Sequence, residues 1–269
     1  MKRPTNPIQM QFASFVGLYF GMVLCAFAAE NMGTVMNLDG TLSAKGSDGS
    51  LKALSVKSEI SSGDTLITGR ESYARIKFPD GAEIALIPKT QFKVESYHYN
   101  EKQPEQDSAG FNLLKGGLRA ISGLVGKRGD PDSYRIKTQA ATAGIRGTNF
   151  GLLFCQNDCG DMKTPEGKVP ENGLHADVVE GAVIINNEAG NQLVKPGQFA
   201  YVMDAKAAPI AVLPAQATRV DVPSRITEGW AKSRVEEQKA APKPGEDGKG
   251  KDAKDMVINA PEATQCPVR

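Results

Sequence analysis

Residues 73–87 read YARIKFPDGAEIALI, and the alternation inside this stretch decides the fold class. Ala74, Ile76 and Phe78 take one face while Tyr73, Arg75 and Lys77 take the other, the period of two expected of a strand with one apolar and one wet side. Asp80-Gly81 is read as supplying the positive backbone angles of a tight turn, and Ala82, Ile84 and Leu86 resume the apolar face on the return. The stretch is an antiparallel hairpin.

The same grammar extends outward in both directions. From Asn31 to about Met203, short runs rich in Val, Ile, Leu, Phe and Tyr are broken by Gly, Asp-Gly or Pro-Gly at intervals of roughly eight to twelve residues. A weak internal repeat overlies this rhythm. LDGTL (38–42), LKGGL (114–118) and VEGAV (179–183) share apolar-x-Gly-x-apolar, and SSGDTLITG (61–69) and VKPGQFAYV (194–202) share a glycine and a polar residue ahead of a strand. The prediction is an all-β domain over residues 29–213, built as a two-sheet sandwich or as a short solenoid-like stack of short strands. Period-two alternation and glycine corners suit both, and a region of this length can bury a proper core.

The ends of the chain differ. Residues 1–30, MKRPTNPIQMQFASFVGLYFGMVLCAFAAE, start with two cations, continue apolar from Phe12 and close on small residues, the layout of a secretory signal peptide spanning residues 1–28 with cleavage after Ala28. The competing reading is an uncleaved membrane anchor. Bulky Leu24 before Cys25 argues against lipid attachment. A periplasmic or secreted bacterial protein is therefore expected. Cleavage removes Lys2 and Arg3 and takes the formal charge from +1 to −1, which gives no overall field to draw in nucleic acid.

Four cysteines are present, and Cys25 leaves with the leader. Cys155 and Cys159 are close enough to form a disulfide if the chain turns between them, with metal or redox chemistry the alternatives. Cys266 is then free, or pairs between chains in self-association. Ile226, Trp230 and Val235 fall at roughly helical spacing, which predicts a short amphipathic helix within 214–239. Residues 240–269 begin with Pro, Gly and charge and read as a flexible linker and tail.

Chemistry has few handholds. TAGIRGTNF (142–150) has two glycines, but no lysine follows Gly147, so it is not a phosphate loop. A nucleophilic Thr142 or Thr148 would need a base, and the two histidines, His98 and His175, stand in no catalytic or zinc-like context. No catalytic residue, metal site or cofactor is expected. The remaining reading is a bend between strands, with Gly144 and Gly147 supplying backbone angles and Thr148 completing the corner. Arg146 either locks that corner through neighbouring carbonyls or a carboxylate, or presents its fork to a partner. Tyr73, Tyr97 and Tyr99 are the one aromatic group that could stack on a sugar.

The order of these pieces closely resembles the FecR domain, the periplasmic sensory part of iron-responsive signal transducers. The resemblance runs through GDTLITGRESYARIKFPDGAEIALIPKTQF (63–92), the Leu-x-x-Gly-x-Leu segment at 113–118, IKTQAATAGIRGTNFGL (136–152), VVEGAVII (178–185) and VKPGQFAYV (194–202). It implies a β-rich extracytoplasmic module that senses or passes signals by contact with a protein of the cell envelope, without catalysis. Family transducers place a sigma-binding segment and a membrane helix ahead of this domain, where this chain has a cleavable-looking leader. Neither sigma binding nor iron uptake is thereby implied. A different class of function, a structural or adhesive envelope protein using the β-domain as a building block with Cys266 linking chains, is the alternative. The insert CQNDCGDMKTPEGKVPENG (155–173) is an elaborated loop of the kind in which binding specificity often resides.

Overall fold

The computed structural model describes residues 31–230 apart from 129 and 131. Along it run β1 (Asn31–Asp39), β2 (Leu42–Lys45), β3 (Leu51–Leu54), β4 (Glu59–Ser61), β5 (Thr65–Thr68), β6 (Tyr73–Lys77), β7 (Glu83–Leu86) and β8 (Gln91–His98). They are followed by β9 (Ser108–Ile121), β10 (Tyr134–Lys137), β11 (Thr142–Cys155), β12 (Gly173–Asn187), β13 (Gly190–Val194), β14 (Phe199–Val202) and β15 (Ile210–Val212), then one helical turn, α1 (Ser224–Thr227).

Hydrogen bonding joins all of these strands into one open sheet, which doubles over because three strands are long and bent. β9 pairs with β8 and β10 as far as Lys115, then with β11 and β7 from Gly116 onward. β11 and β12 change partners in the same way. The first layer thus holds β4, β1, β6, β7, the later half of β9 and β11, the early half of β12, β14 and β15. The second holds β3, β2, β5, β8, the early half of β9, β10, the early half of β11, the later half of β12, and β13. Gly40, Gly116 and Gly181, the central glycines of the three repeated pentapeptides, stand where the chain crosses between layers, with φ of +85°, +77° and +78°.

The choice between sandwich and stack resolves into this doubled-over sheet closed on one core. Phe111 is its centre, with ring centroids 5.2 Å from Phe78, 5.2 Å from Phe92 and 5.4 Å from Tyr134. Ala74, Ile76, Ile84 and Leu86 of the opening hairpin point into it and are fully buried. The hairpin's turn differs from the tight two-residue form expected. Of Asp80 and Gly81 only the glycine has a positive φ, +87°, and the loop is closed by Phe78 N–H to Ala82 O at 2.8 Å. Asp80 turns its carboxylate inward, where it accepts the Ala82 N–H at 2.8 Å and the Val125 N–H at 3.0 Å. It ties the hairpin to the loop after β9.

A second correction concerns the hairpin's outer face, which is not wet. Residues 214–230 run as a strap across the first layer, where Ile226 and Trp230 pack on Ala85, with Tyr73, Ile121 and Val222 around them. Beneath the strap is a buried ion pair: Arg119 Nη2 donates to Asp177 Oδ2 at 2.6 Å, with the two side chains 9% and 1% exposed. The two residues belong to β9 and β12, on either side of β11, and face each other across Gly151. A Cβ there would come within 2.3 Å of Asp177 Oδ1. The strap completes the pair's hydrogen bonding, since the Val220 carbonyl accepts from Arg119 Nε at 3.0 Å and the Val220 N–H donates to Asp177 Oδ1 at 3.2 Å. Within the expected helical region the described chain is this extended strap and the single turn of α1. The leader (1–28), residues 231–239, and the tail (240–269) with Cys266 lie outside the described residues.

Candidate functional site

TAGIRGTNF is the bend of β11. Gly147 has a φ of +58°, and its N–H donates to Gly126 O at 2.8 Å. Thr148 is buried, its N–H donating to Ser122 Oγ at 2.7 Å and its hydroxyl to Ala182 O at 2.9 Å. Opposite it on β12, a Cβ on Gly181 would lie 2.2 Å from Gly147 O, so the two glycines let the bent strands stay in contact. Gly144 departs from expectation: its backbone is not in the left-handed region, and a Cβ there would meet only Ile184 O, at 3.8 Å. Arg146 is exposed and ties no carbonyl or carboxylate among the described residues. The corner is locked by threonine, serine and backbone instead.

The insert between β11 and β12 starts with a disulfide between Cys155 and Cys159, whose sulfurs are buried with Ile87, Leu153 and Val220. Its far end folds back on its own stem, where the Asn172 side chain accepts the Asn157 N–H at 2.7 Å and donates to Asn157 Oδ1 at 2.8 Å. Lys89, at the crossing between β7 and β8, pairs with Asp161. The insert is thus held at base and flank as a shaped ridge.

Between this ridge and the end of the first layer lies a groove of about 460 Å³ lined by Val169, Pro170, His175, Tyr201, Met203 and Ile210. Val169, Met203 and Ile210 are 48%, 58% and 52% exposed. One wall is β15, which pairs with β14 on one side and with no strand on the other among the described residues. His175 sits at the floor, 6% exposed, with its Nε2 2.8 Å from Glu171 O and its ring centroid 4.9 Å from that of Tyr201. Burial holds its pKa below the usual histidine value. Tyr201 donates its hydroxyl to Asn172 O at 2.5 Å, so aromatic floor and insert form one hydrogen-bonded unit. The arrangement is suited to holding an apolar segment rather than to moving a proton.

The remaining sequence candidates do not converge on a site. His98 is exposed at the end of β8. The three tyrosines considered for sugar stacking are apart: Tyr97 is in the core against Phe78, Tyr99 lies under the Arg128 guanidinium, and Tyr73 is beneath the strap beside Arg225. Among the described residues no group of three or more His, Cys, Asp or Glu side chains could hold a metal ion. The groove itself was missed in the sequence. Its one advance signal was VLPAQ (212–216), apolar residues ahead of a proline after the last strand-like run.

Residues 64–183 match the family described as FecR protein. The chain carries a FecR domain. The match stops short of the folded unit, because β1–β4 and β13–β15 complete the same two layers from outside it. Two crystal structures of a "putative anti-sigma factor" from Parabacteroides distasonis ATCC 8503 are 14% identical, with a TM-score of 0.41 over 55% of this chain and 58% of theirs. This chain thus spans 58% of the length of those chains. A structure described as a cell surface anchoring domain is 24% identical, with a TM-score of 0.23 over 23% of this chain and 82% of its own length. No curated protein matches the chain. No helix among the described residues is long and apolar enough to cross a membrane.

Proposed function

We infer that this FecR protein is a non-enzymatic, extracytoplasmic sensing module, exported by its leader, that works by contact with a protein of the cell envelope. The groove beside β15 is its docking surface. The observation that carries this reading is an open sheet edge with exposed Met203 and Ile210 facing the Val169 ridge of the insert. An unpaired edge strand offers a row of backbone donors and acceptors to a further strand. The flanking apolar groove would receive alternate side chains of an extended segment of the partner, and the floor of buried His175 and half-buried Tyr201 would give that segment a rigid base.

A photo-cross-linker placed at Ile210 or at Val169, in living cells, tests this. Both positions should capture one and the same envelope protein, while a linker at Glu105, in the 3-10 turn Pro104–Gln106 between β8 and β9, should not. Capture only of further copies of this chain would replace the sensing role with the structural or adhesive one. Reading the N-terminus in the same experiment tests export, with Ala29 expected first.

A further inference from the structure

The outer faces of the two layers are treated differently. On the outer face of the first layer the two arginines are paired and covered: Arg75 meets Glu83, Arg119 meets Asp177, and the strap lies over both. The second layer has no such cover among the described residues, and strand register aligns its outward side chains into transverse rows. One row runs Lys45, Thr65, Lys93, Asn112, Lys137, Thr142 across β2, β5, β8, β9, β10 and β11. Their inward neighbours Ala44, Leu66, Phe92, Leu113, Ile136 and Ala143 are all buried, which fixes the row as outward-facing. Arg135 stands on the neighbouring row between Gly110 and Gly144, and Arg146 lies beyond it on β11.

Charge on this face is one-sided. Glu95 is its one acid among the described outward positions, and it reaches Lys137 at 3.5 Å and accepts from the Asn112 side-chain amide at 3.5 Å. No carboxylate among the described residues pairs with Lys45, Lys93, Arg135 or Arg146. A chain of formal charge +1 has thus gathered unpaired cations on one flat side, which is a local field and not a general one. Lysines on alternate strands are separated by roughly 9.5 Å, a spacing comparable to the disaccharide repeat of an extended glycan. Thr65 and Thr142 between them offer hydroxyl groups at the positions where sugar hydroxyls would fall.

We propose that the outer face of the second layer binds an extended anionic glycan, with its acidic groups on Lys45 and Lys93 and, in competition with Glu95, on Lys137, and its hydroxyls on Thr65 and Thr142. Arg135 and Arg146 add charge along one side, which assigns Arg146 a partner distinct from the protein in the groove. The flatness left by Gly110 and Gly144 lets a sugar chain lie close to the backbone, and it gives Gly144 a purpose that its backbone geometry does not require. The site is independent of the groove, so neither reading falls with the other.

The test is titration of the full chain at physiological ionic strength with low-molecular-weight heparin as the anionic glycan and dextran as the uncharged one. Wild type is compared with K45Q/K93Q/K137Q and with K102Q/K163Q/K206Q, which removes three exposed lysines elsewhere. Heparin should bind and dextran should not. The row variant should lose roughly tenfold in affinity, the effect of three exposed ion pairs, and the control less than about twofold. Absence of heparin binding, or equal losses in the two variants, overturns the proposal. Equal affinity for a thymidine oligonucleotide or for anionic phospholipid vesicles also overturns it, since the face would then recognise charge alone.

Discussion

At position 181 a side chain would set its Cβ 2.2 Å from the Gly147 carbonyl oxygen, on a backbone already held at φ +78°. Both features penalise alanine, one by steric overlap and the other by the left-handed angle. Gly181→Ala is expected to lower stability by more than about 2 kcal/mol in denaturant titration, whereas Gly144→Ala, in ordinary backbone with open space, should cost under about 1 kcal/mol. Tyr134 makes the opposite case. Its ring is fully buried and its hydroxyl has no hydrogen-bond partner, so Tyr134→Phe removes a desolvated polar atom and keeps the packing. A gain of about 1 kcal/mol is expected. His175 brings pH into play. Its folded pKa is depressed by burial, with Glu171 acting weakly in the other direction. Above the unfolded value of 6.5 both states are neutral. As pH falls below that value the unfolded chain takes up a proton that the folded one resists, so stability declines until the folded pKa is reached. Between pH 7.5 and 5.5 the loss measured for wild type should shrink in His175→Gln.

The element that most needs explaining is the ion pair held between β9 and β12. Removing one partner leaves the other charge buried: Asp177→Ala strands Arg119, which is 7% exposed, and should cost about 3–5 kcal/mol. Replacing both, as Arg119→Met with Asp177→Leu, should recover most of that loss in the same titration, because no charge is left to desolvate. None of this was legible in the sequence. Arg119 and Asp177 are 58 positions apart, and Arg119 and Val220 are 101 apart. In LLKGGLRAIS (113–122) the arginine takes an outward position of a strand, which period-two reasoning assigns to water. Only the strap, whose extended course carries no periodic signal, makes that position interior. The strands of the hairpin and the recurrence of Gly40, Gly116 and Gly181 were legible for the converse reason: alternation and glycine spacing are local to a few residues, although Asp80 and Gly144 do not take the positive angles expected of them. The groove resembles the ion pair in this respect, since Val169 and Ile210 meet only after the insert and β15 are placed. The Cys155–Cys159 bridge closes so short a loop that its loss should cost only about 2 kcal/mol, enough to loosen the ridge but not to unfold the sandwich.

At the scale of the molecule, the two layers divide the work. Among the described residues, the first is closed by the strap on its outer face and open at the β15 edge, while the second has no segment across its outer face. The strap therefore belongs to the fold although it lies beyond the matched stretch of 64–183. A chain ending at Leu213 would retain every strand and lose Val220, Ile226 and Trp230, each of the three at most 8% exposed. Burying such side chains contributes about 1.5–3 kcal/mol each, and the strap also supplies two of the hydrogen bonds around the ion pair. Truncation at Leu213 should accordingly lower the unfolding free energy by several kcal/mol and expose Ala85 and Ile121 to a hydrophobic dye, with the strand content of the circular dichroism spectrum preserved. Combining it with Arg119→Met and Asp177→Leu separates the two contributions. If the strap acts mainly by covering the ion pair, the double substitution should restore much of the truncated chain's stability. If it acts mainly through Ile226 and Trp230, the truncated chain should remain as weak and still bind the dye. The 8% exposure of Trp230 and the full burial of Ile226 favour the second outcome, because the apolar area they cover exceeds what one ion pair can return after desolvation.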